Sequence, residues 1–407
     1  MCSSDLGAAM ASGGKTVAEA DSEVSEAIDF TEFYPRTASD LAKRTNLQAR
    51  GKGVVAVVSP WNFPIAIPCG GVAAALAVGN TVILKPASDT LLPAHLICEC
   101  FGRAGVPREA LQLTPCAGSV AGEHLTSRPE VDVGILTGGT ETAFTMLRGT
   151  PTMNLLAETG GKNATIVTAM ADRDQAIKHV LHSAFSHAGQ KCSATSLLLL
   201  EAEVFDNPGF KRNLRDAVES LEVGSVWKLQ TNVNPLIRPP EGNLQEALQE
   251  EAPGEEWLVP PVPLADNPHL VTPAVKWNVQ PGAPTHLTEL FGPVLSVMRF
   301  EKLDEAIDLI HQTGYGLTSG IETLDEREQE HWQSRVRAGN LYVNRPTTGA
   351  IVLRQPFGGM GKSSFGPGIK AGGLNYVAQL MDFTETAEPE GVDLSDDTLR
   401  ADRKSVV

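Results

Sequence analysis

Short apolar runs alternate with helical patterns along much of the chain, beginning at Gly53. Val54–Val58 predicts a buried strand and Gly71–Val78 a helix of small residues, and the pair repeats as Thr81–Leu84 and Leu91–Ala104. Strands that alternate with helices at this spacing form parallel sheets with both faces covered. The sequence therefore predicts a fold of the α/β class.

The same alternation continues toward the C-terminus, and a length of 407 residues suggests two to three domains. The further predicted strands are Leu111–Leu113, Val133–Leu136, Ala164–Val167, Ser196–Leu200 and Leu295–Phe300. The further predicted helices lie near Val120–Thr126, Asp174–Ala188 and Leu303–Gln312.

Three segments depart from the alternation. Val17–Phe33 carries apolar residues at helical spacing and predicts a helix before the first strand. Asn232–Pro268 is rich in proline and glutamate and weakly periodic, which predicts excursions over the surface. Ala387–Val407 is polar and is expected to be disordered.

Composition excludes several classes of protein. A formal net charge of −16 argues against a nucleic-acid surface, and no apolar run is long enough for a membrane span. The six cysteines show no paired framework, which favours a reducing cytoplasm. Cys98 and Cys100 lie in a helix-like apolar run, so we expect core packing there and no metal site.

The two ends of the chain look foreign to the rest. Met1–Leu6 and Asp402–Val407 match the translation of a common short-read sequencing adapter. We therefore expect both segments to be adapter-derived and the chain to be an internal fragment of a longer protein, and such segments are left out of fold reasoning. The alternative is that they are genuine polar tails.

Cys192 and Glu158 form the most informative pair of side chains. Cys192 lies in a small-residue loop behind Lys191, where a basic neighbour favours the thiolate that attacks carbonyls. Glu158 lies in the glycine-flanked segment Leu156–Lys162, where a carboxylate can activate water against a thioester. The pair therefore points to covalent catalysis at a carbonyl.

Polar side chains follow the predicted strands, where ligands of open α/β sheets gather. Asn62 follows the first strand and offers an uncharged amide donor, suited either to an oxyanion hole or to capping the next helix. Lys85 ends the second strand and can meet a ribose or phosphate, unless it is simply solvated.

Three glycine-containing loops are further candidates for ligand contact. Thr137–Thr142 enters a helix, and its glycines allow a pyrophosphate to approach backbone N–H groups, although the chain has no G-x-G-x-x-G fingerprint. Glu289, in Glu289–Pro293, either accepts a sugar hydroxyl or is solvated in a turn. Gln355–Gly359 either closes over a pocket or is only a turn.

Taken in order, these motifs resemble the aldehyde dehydrogenase superfamily from about Gly7 to Phe383. The resemblance implies a Rossmann-like cofactor domain, truncated at its N-terminus, and an α/β catalytic domain. It makes Cys192 the nucleophile, Glu158 the general base and Asn62 the oxyanion donor together with the Cys192 N–H. The cofactor-binding residues that it implies are Ser59, Pro60, Trp61, Lys85, Ser88, Gly138, Thr140, Glu289 and Phe291.

The resemblance implies NAD as cofactor and a thiolate that attacks the aldehyde, a hydride transfer to nicotinamide, and a thioester that is hydrolysed with Glu158 as base. Two positions depart from the common pattern. Ser88 stands where much of the superfamily has a glutamate that repels a 2′-phosphate, so NADP is not excluded. Gly139 replaces the more usual serine.

A narrower resemblance lies in Asn344–Val352, Gln355–Gly359 and Phe365–Gly373. These segments are similar to glutamate semialdehyde (pyrroline-5-carboxylate) dehydrogenases, above all to the dehydrogenase module of bifunctional proline utilisation A proteins. The implied reaction is oxidation of L-glutamate γ-semialdehyde to glutamate in proline catabolism. The implied substrate-binding residues are Phe63, Ser193, Gly349, Ala350, Phe365 and Glu26.

The resemblance also divides the chain. Residues 7–160 form a partial NAD-binding domain with an oligomerisation segment at about 40–53, and residues 161–358 form the catalytic domain. Residues 359–386 return to the cofactor domain and supply an oligomerisation strand, and residues 387–407 form the tail. The implied partners are further copies of the chain and a fused proline dehydrogenase domain.

Other functions remain open at this point. A broad-specificity aldehyde dehydrogenase would share the motifs, and a fragment of either enzyme would be inactive. His187, five residues before Cys192, would supply the base of a cysteine hydrolase. A non-catalytic binding protein on this fold is a further alternative. NAD-dependent turnover of an aldehyde separates these possibilities, because a hydrolase needs no NAD and a binding protein shows no turnover.

Overall fold

The computed structural model describes residues 3–44, 47–262, 264 and 267–386. The proposed adapter residues 1, 2 and 402–407 and the expected disordered tail 387–407 lie outside these described residues. Residues 3–6, the rest of the first adapter match, begin a helix. The predicted alternation of strands and helices is confirmed, and Val54–Val58, Leu111–Leu113 and Leu303–Gln312 have the predicted bounds.

The helices, numbered in chain order, are α1 Ser3–Gly13, α2 Val17–Ala42, α3 Ala66–Ala77, α4 Leu91–Arg103, α5 Gly118–His124, α6 Thr140–Gly149, α7 Arg173–Phe185, α8 Ala202–Phe205, α9 Pro208–Glu219, α10 Gly242–Gln249, α11 Pro284–Leu287, α12 Leu303–Gln312 and α13 Glu326–Arg335. Short 3₁₀ turns cover Ser88–Thr90, Ser186–Gly189 and Tyr376–Leu380.

The strands are β1 Leu47–Gly51, β2 Val54–Val58, β3 Thr81–Lys85, β4 Leu111–Leu113, β5 Val133–Thr137, β6 Leu155–Glu158, β7 Asn163–Val167, β8 Thr195–Glu201, β9 Glu256–Val259, β10 Ala274–Trp277, β11 Val294–Phe300, β12 Tyr315–Gly316, β13 Thr318–Glu322, β14 Asn340–Val343, β15 Met360–Gly361, β16 Ser364–Phe365 and β17 Met381–Glu385.

A six-stranded sheet in the order β16-β6-β5-β2-β3-β4 forms the first layer system. Its strands are parallel except β16, which runs antiparallel to β6. Apolar residues of β2 and α3, including Val55, Val57 and Val72, are buried between sheet and helices. The parallel strands all end at one edge, which brings the loops after β2, β3, β5 and β6 together.

A seven-stranded sheet in the order β14-β13-β7-β8-β11-β10-β9 forms the second layer system, and its only antiparallel edge is β9. Central strand β8 alternates its side chains between two apolar clusters: Leu198 and Leu200 pack on one face, and Leu197 and Leu199 on the other. Such two-sided burial explains the continuous apolar run of that strand.

Two small sheets complete the topology. β1 pairs antiparallel with β17, so the predicted oligomerisation segment at 40–53 and the returning segment 359–386 meet there. β12 pairs antiparallel with β15. None of the helices within the described ranges is long and apolar enough to cross a bilayer.

Helix α2 is longer than predicted, since it continues through Pro35 to Ala42. The ring of Tyr34 is stacked between Phe30 and Tyr376, with ring centroids 5.3 Å apart on each side. This aromatic packing holds the middle of the helix to the core, an effect that sequence periodicity does not reveal. The helix carries three glutamates toward the site described below.

The prediction for Asn232–Pro268 is wrong in part. The segment contains α10 and the edge strand β9, and Leu236 and Leu258 are buried in the core of the seven-stranded sheet. The sequence pattern of this edge strand is weak because the strand contains only a few apolar side chains and acidic residues lie next to them.

Candidate active site

A cavity of about 530 Å³ lies between the carboxyl edge of the six-stranded sheet, helix α2 and the loops of the second sheet. Cys192 and Glu158 both line it. The six residues predicted to bind substrate line the same cavity: Phe63, Ser193, Gly349, Ala350, Phe365 and Glu26. The structure thus brings together side chains from six separate segments of the chain.

Cys192 lies on a loop that follows a sharp bend after α7. His187 and Ala188 have positive φ angles of 52° and 54°, and Gly189 has a φ angle of +70°. A Cβ atom on Gly189 would collide with the carbonyl of Gly292, so only glycine fits this close approach. The bend delivers the cysteine to the cavity.

The surroundings of the Cys192 thiol mostly oppose its ionisation. Burial raises its pKa, and the carboxylates of Glu158 and Glu289 raise it further. The backbone N–H groups of Ser193 and Cys192 act in the opposite direction because they stabilise the thiolate. Formation of the thiolate therefore depends on how these N–H groups are aimed.

The expectation that Lys191 activates the neighbouring thiol is wrong. The Lys191 Nζ lies 3.0 Å from Oε1 of Glu19 and donates to Ser186 Oγ at 3.0 Å. The Glu19 carboxylate neutralises the lysine's charge, so the cysteine gains no cation of its own. Although burial opposes it, Lys191 and His187 lower the pKa of Glu19 to about 2.

Glu158 ends β6 at the carboxyl edge of the sheet, where its backbone pairs with Thr137 and Ser364 on either side. Burial raises its pKa to about 8, and the carboxylate of Glu26 contributes to the rise, while Lys370 opposes it. A carboxyl group with a pKa near neutral pH suits general base catalysis.

The loop after β14 forms one wall of the cavity. Gly349 has a φ angle of +85° and no side-chain or backbone atom within 4 Å of its would-be Cβ. Phe63 also lines the cavity, and Lys15 Nζ lies 4.0 Å from the centroid of its ring. The Phe365 ring packs edge-on against Phe144 at 5.0 Å. Phe63 and Phe365 are thus two of the aromatic residues that line the cavity.

Glu26 faces the cavity from α2. Burial and the nearby Glu23 raise its pKa to about 7. Glu23 also lines the cavity, but one of its carboxylate oxygens pairs with Lys15 at 3.0 Å and the other accepts the N–H groups of Ile65 and Ala66 at the start of α3. Of these two neighbouring glutamates, Glu26 is the one available to a ligand's polar groups.

Asn62 is buried and is not among the residues that line the cavity. Its Nδ2 donates to the carbonyl of Gln190 at 3.0 Å, two residues before the nucleophile. An asparagine amide carries a second N–H, which leaves one donor for a ligand. The structure therefore places Asn62 beside the Cys192 loop without showing it at the cavity wall.

The predicted cofactor residues cluster at the ends of the parallel strands. Ser59 follows β2, Lys85 ends β3, and Gly138 follows β5. Helix α6 begins one residue after Gly139, and no side chain caps its N-terminus, so its first N–H groups are available to an anion. Of the predicted cofactor residues, Ser59 alone also lines the large cavity.

Other cofactor candidates lie around this edge. Ser88 opens the short turn before α4 and is exposed. Thr140 starts α6, and its hydroxyl donates to the carbonyl of Lys362 at 3.1 Å. Trp61, which follows Pro60, packs edge-on against Phe291 with ring centroids 5.6 Å apart. This contact joins the predicted cofactor residues that follow β2 to those of the Glu289–Pro293 loop.

Glu289 reaches back to the segment that follows Glu158. Its Oε1 accepts the N–H of Gly161 at 2.7 Å, and a Cβ atom on Gly160 would overlap the carboxylate. Burial raises the pKa of Glu289 to about 7. Lys162 is buried beside it with no hydrogen-bond partner for its Nζ, and burial lowers its pKa to about 7.

His187 is in the wrong environment for the base of a hydrolase. It is fully buried, and its Nδ1 accepts from the amide of Asn234 at 3.2 Å. Burial and the charge of Lys15 lower its pKa to about 3. The histidine lies beside Glu19, with its Nδ1 3.6 Å from the Glu19 Oε2, and it does not line the cavity. Within the described ranges, no cluster of three or more potential metal ligands occurs.

Sequence reasoning missed several residues around the site. Tyr34 and Tyr376 line the cavity, and Lys370 acts on the charge of Glu158. Asn163 donates to the carbonyl of Cys192 at 2.6 Å. Lys370 lies within the Phe365–Gly373 motif and Asn163 directly follows Leu156–Lys162, so the motifs pointed to their position but not to their contacts.

The family model described as the aldehyde dehydrogenase family matches residues 6–386. The chain belongs to the aldehyde dehydrogenase family, and the resemblance seen in its motifs is confirmed. The two-sheet α/β architecture is the fold of that family.

Relatives at moderate identity carry two names. The bifunctional protein PutA of Klebsiella aerogenes is 38% identical over 399 residues, which cover 92% of this chain and 29% of PutA. The 1-pyrroline-5-carboxylate dehydrogenase of Geobacillus thermodenitrificans is 33% identical over 394 residues, which cover 92% of this chain and 76% of that enzyme. The chain thus spans about 29% of the length of the PutA relative.

Solved structures give the same two names. PutA from Corynebacterium freiburgense is 46% identical, with a TM-score of 0.92 over 98% of this chain and 41% of that chain. A 1-pyrroline-5-carboxylate dehydrogenase from Thermus with bound NAD is 32% identical, with a TM-score of 0.87 over 94% of this chain and 77% of that chain.

Proposed function

We propose that the chain catalyses the NAD(P)-dependent oxidation of L-glutamate γ-semialdehyde to L-glutamate through a cysteine thioester, in proline catabolism. The observation that carries this proposal is a single cavity lined by Cys192, Glu158 and the small-residue loop of Gly349 and Ala350. The relatives named PutA and 1-pyrroline-5-carboxylate dehydrogenase support the same substrate.

Cys192 is the proposed nucleophile. Its thiolate attacks the aldehyde carbon, and the oxygen that becomes negative needs hydrogen-bond donors at once. The backbone N–H of Cys192 and the amide of Asn62 are the proposed donors. The Asn62 contact with Gln190 supports this role because it ties the amide to the loop that carries the nucleophile.

Glu158 is the proposed general base. Once the thioester has formed, a water molecule must lose a proton as it attacks the acyl carbon. Glu158 lines the same cavity as Cys192, and its raised pKa of about 8 makes it a better proton acceptor than an ordinary carboxylate. Burial of the carboxylate is therefore part of the proposed mechanism.

The residues at the sheet edge fit a dinucleotide. The uncapped N-terminus of α6 and the glycines that precede it would accept a pyrophosphate, and Lys85 and Glu289 would meet the two riboses. When bound, NAD accepts the hydride of the aldehyde carbon. Ser88 carries no charge that would repel a 2′-phosphate, so NADP stays within the proposal.

The substrate's α-carboxylate is proposed to lie against the Gly349–Ala350 loop and the hydroxyl of Ser193. Backbone N–H groups and a hydroxyl form an uncharged cradle for an anion, and a glycine at positive φ lets the anion approach closely. Phe63 and Phe365 are proposed to flank the aliphatic part. Glu26 is proposed to meet the polar end of the substrate at the cavity mouth.

The test is kcat/KM for glutamate semialdehyde against pentanal, an aldehyde of similar length that lacks the carboxylate. Each hydrogen bond to a charged group is worth about 1.5–3 kcal/mol, so its loss lowers kcat/KM by roughly tenfold or more. Cys192→Ala is the matched control and abolishes both activities. Equal values for the two aldehydes would leave a broad-specificity aldehyde dehydrogenase.

The proposal extends to the partners and the location of the protein. The pairing of β1 with β17 supplies an exposed two-stranded sheet for contact with a second copy of the chain. The bifunctional relatives favour a fused proline dehydrogenase domain. Five free cysteines among the described residues favour the reducing cytoplasm. Size-exclusion chromatography with light scattering tests the oligomer.

A further inference from the structure

Three successive carbonyls of the nucleophile loop are held from the interior of the second sheet. Asn163 Nδ2 donates to the carbonyl of Cys192 at 2.6 Å and to that of Ala194 at 3.0 Å. The carbonyl between them, that of Ser193, accepts from the hydroxyls of Thr347 at 3.0 Å and Thr318 at 3.3 Å. The loop is therefore fixed by side chains that do not touch the cavity.

Asn163 is itself held rigidly. Its side-chain oxygen accepts the backbone N–H of Thr318 at 3.0 Å, and the residue is 2% exposed at the first position of β7. All the polar atoms of its amide face partners in the core. Asn163 directly follows the Glu158 segment Leu156–Lys162, so one short stretch of chain supplies the proposed base and holds the proposed nucleophile.

A planar trans peptide points its N–H away from its C=O. Because Asn163 binds the carbonyl of Cys192, the N–H of the same peptide, which belongs to Ser193, points the other way, toward the cysteine's sulfur. The Ser193 N–H is one of the two backbone groups that stabilise the thiolate. Its direction therefore depends on the asparagine.

We propose that Asn163 is a positioning residue that orients the peptide between Cys192 and Ser193 so that its N–H faces the nucleophile's sulfur. This inference rests on the proposed role of Cys192. Asn163 touches neither substrate nor cofactor, and it acts through the thiolate that its contact helps to form.

The test is the pH dependence of Cys192 alkylation by iodoacetamide, followed by peptide mapping in the full chain. Asn163→Ala is expected to move the alkylation midpoint up by about one pH unit, or to slow alkylation about tenfold at a fixed pH below it. Asn163→Ser, whose hydroxyl is too short to reach both carbonyls, is expected to move it in the same direction and serves if the alanine variant does not fold.

Asn80→Ala is the matched control. Asn80 is buried like Asn163, its Nδ2 likewise donates to two backbone carbonyls, those of Ala75 and Leu380, and its Oδ1 accepts the N–H of Gly53, but it does not line the cavity. A loss of stability with an unchanged alkylation midpoint is expected for it. A folded Asn163 variant that keeps the wild-type midpoint would overturn the proposal. Alkylation needs no aldehyde, so a wild-type chain that titrates normally but oxidises no aldehyde counts against the proposed function alone.

Discussion

The Nζ of Lys191 lies 3.0 Å from Oε1 of Glu19, so the residue before the nucleophile is held by helix α2 rather than by the catalytic loop. Both side chains are mostly buried, with 11% and 15% of their surfaces exposed. Removal of one partner from a buried ion pair leaves an uncompensated charge, which costs more than the pair itself contributes. The contact is therefore a stability element next to the site.

Glu19→Gln is expected to lower the free energy of unfolding by about 3 kcal/mol in urea titrations. Glu32→Gln is the control, since it breaks an exposed ion pair with Arg36 on the same helix and should change stability by less than about 1 kcal/mol. Because the folded pKa of Glu19 is lowered, its stabilisation is present above about pH 4.5 and is lost as the pH falls toward 2. Similar losses in the two variants would contradict the prediction.

Glu158→Gln is expected to release one equivalent of NADH in a burst and then to turn over about 10²–10⁴ times more slowly, because general base catalysis is worth about that factor. Rapid-mixing absorbance at the NADH band measures both phases. Glu322→Gln is a control, since Glu322 is also buried with a pKa raised to about 8 but lies outside the cavity. Undiminished steady-state turnover of Glu158→Gln would remove its role as base.

The steady-state rate at saturating substrate is expected to rise with pH through a midpoint near 8. Glu158 accepts a proton only when ionised, and burial together with the charge of Glu26 raises its pKa to about 8. Glu26→Gln should move the midpoint to lower pH, because one of the causes of the rise is removed. A kcat profile that is flat between about pH 6 and about pH 9 would contradict this assignment.

Much of the fold could be predicted because buried parallel strands are continuous apolar runs, as in Val54–Val58. The motifs also placed Cys192, Glu158 and Gly349 around one cavity. Contacts between distant segments could not be predicted. Lys191 looked like an activating cation because its partner Glu19 lies far away on α2, and local sequence does not report such pairing.

The predicted length of α2 was too short for the same reason, a contact with a distant segment. The apolar residues at helical spacing extended only to about Phe33, and Pro35 follows, a residue type that usually ends or kinks a helix. The stacking of Tyr34 on Tyr376, from the other end of the chain, overrides that preference. Asn163 was likewise invisible as a positioning residue, since an asparagine after a lysine carries no signal until the fold brings Cys192 beside it.

Gly160→Ala is expected to weaken NAD binding by roughly tenfold, the loss of about one hydrogen bond to the ribose. A Cβ atom at this position would overlap the carboxylate of Glu289, which must then leave its contact with the Gly161 N–H. Gly122→Ala in α5 is the control, because a Cβ atom there meets open space. Titration of protein fluorescence with NAD measures the Kd, and an unchanged value would show that Glu289 does not bind the cofactor.

Gly349→Ala tests the carboxylate cradle against simple backbone strain. Gly349 has a φ angle of +85°, and Gly79, in a turn away from the cavity, has a φ angle of +83°; both are exposed, and nothing lies within 4 Å of either would-be Cβ. An alanine at either position is strained by about 1–3 kcal/mol, so both variants should unfold at lower urea concentration by similar amounts.

Gly349→Ala alone is expected to raise KM for glutamate semialdehyde by about tenfold, because relief of the strain shifts the N–H groups that face the carboxylate. Its KM for pentanal should stay unchanged, since pentanal has no carboxylate to lose. Equal effects on the two aldehydes, or a matching rise in KM for Gly79→Ala, would show that the loop serves the fold and not the substrate.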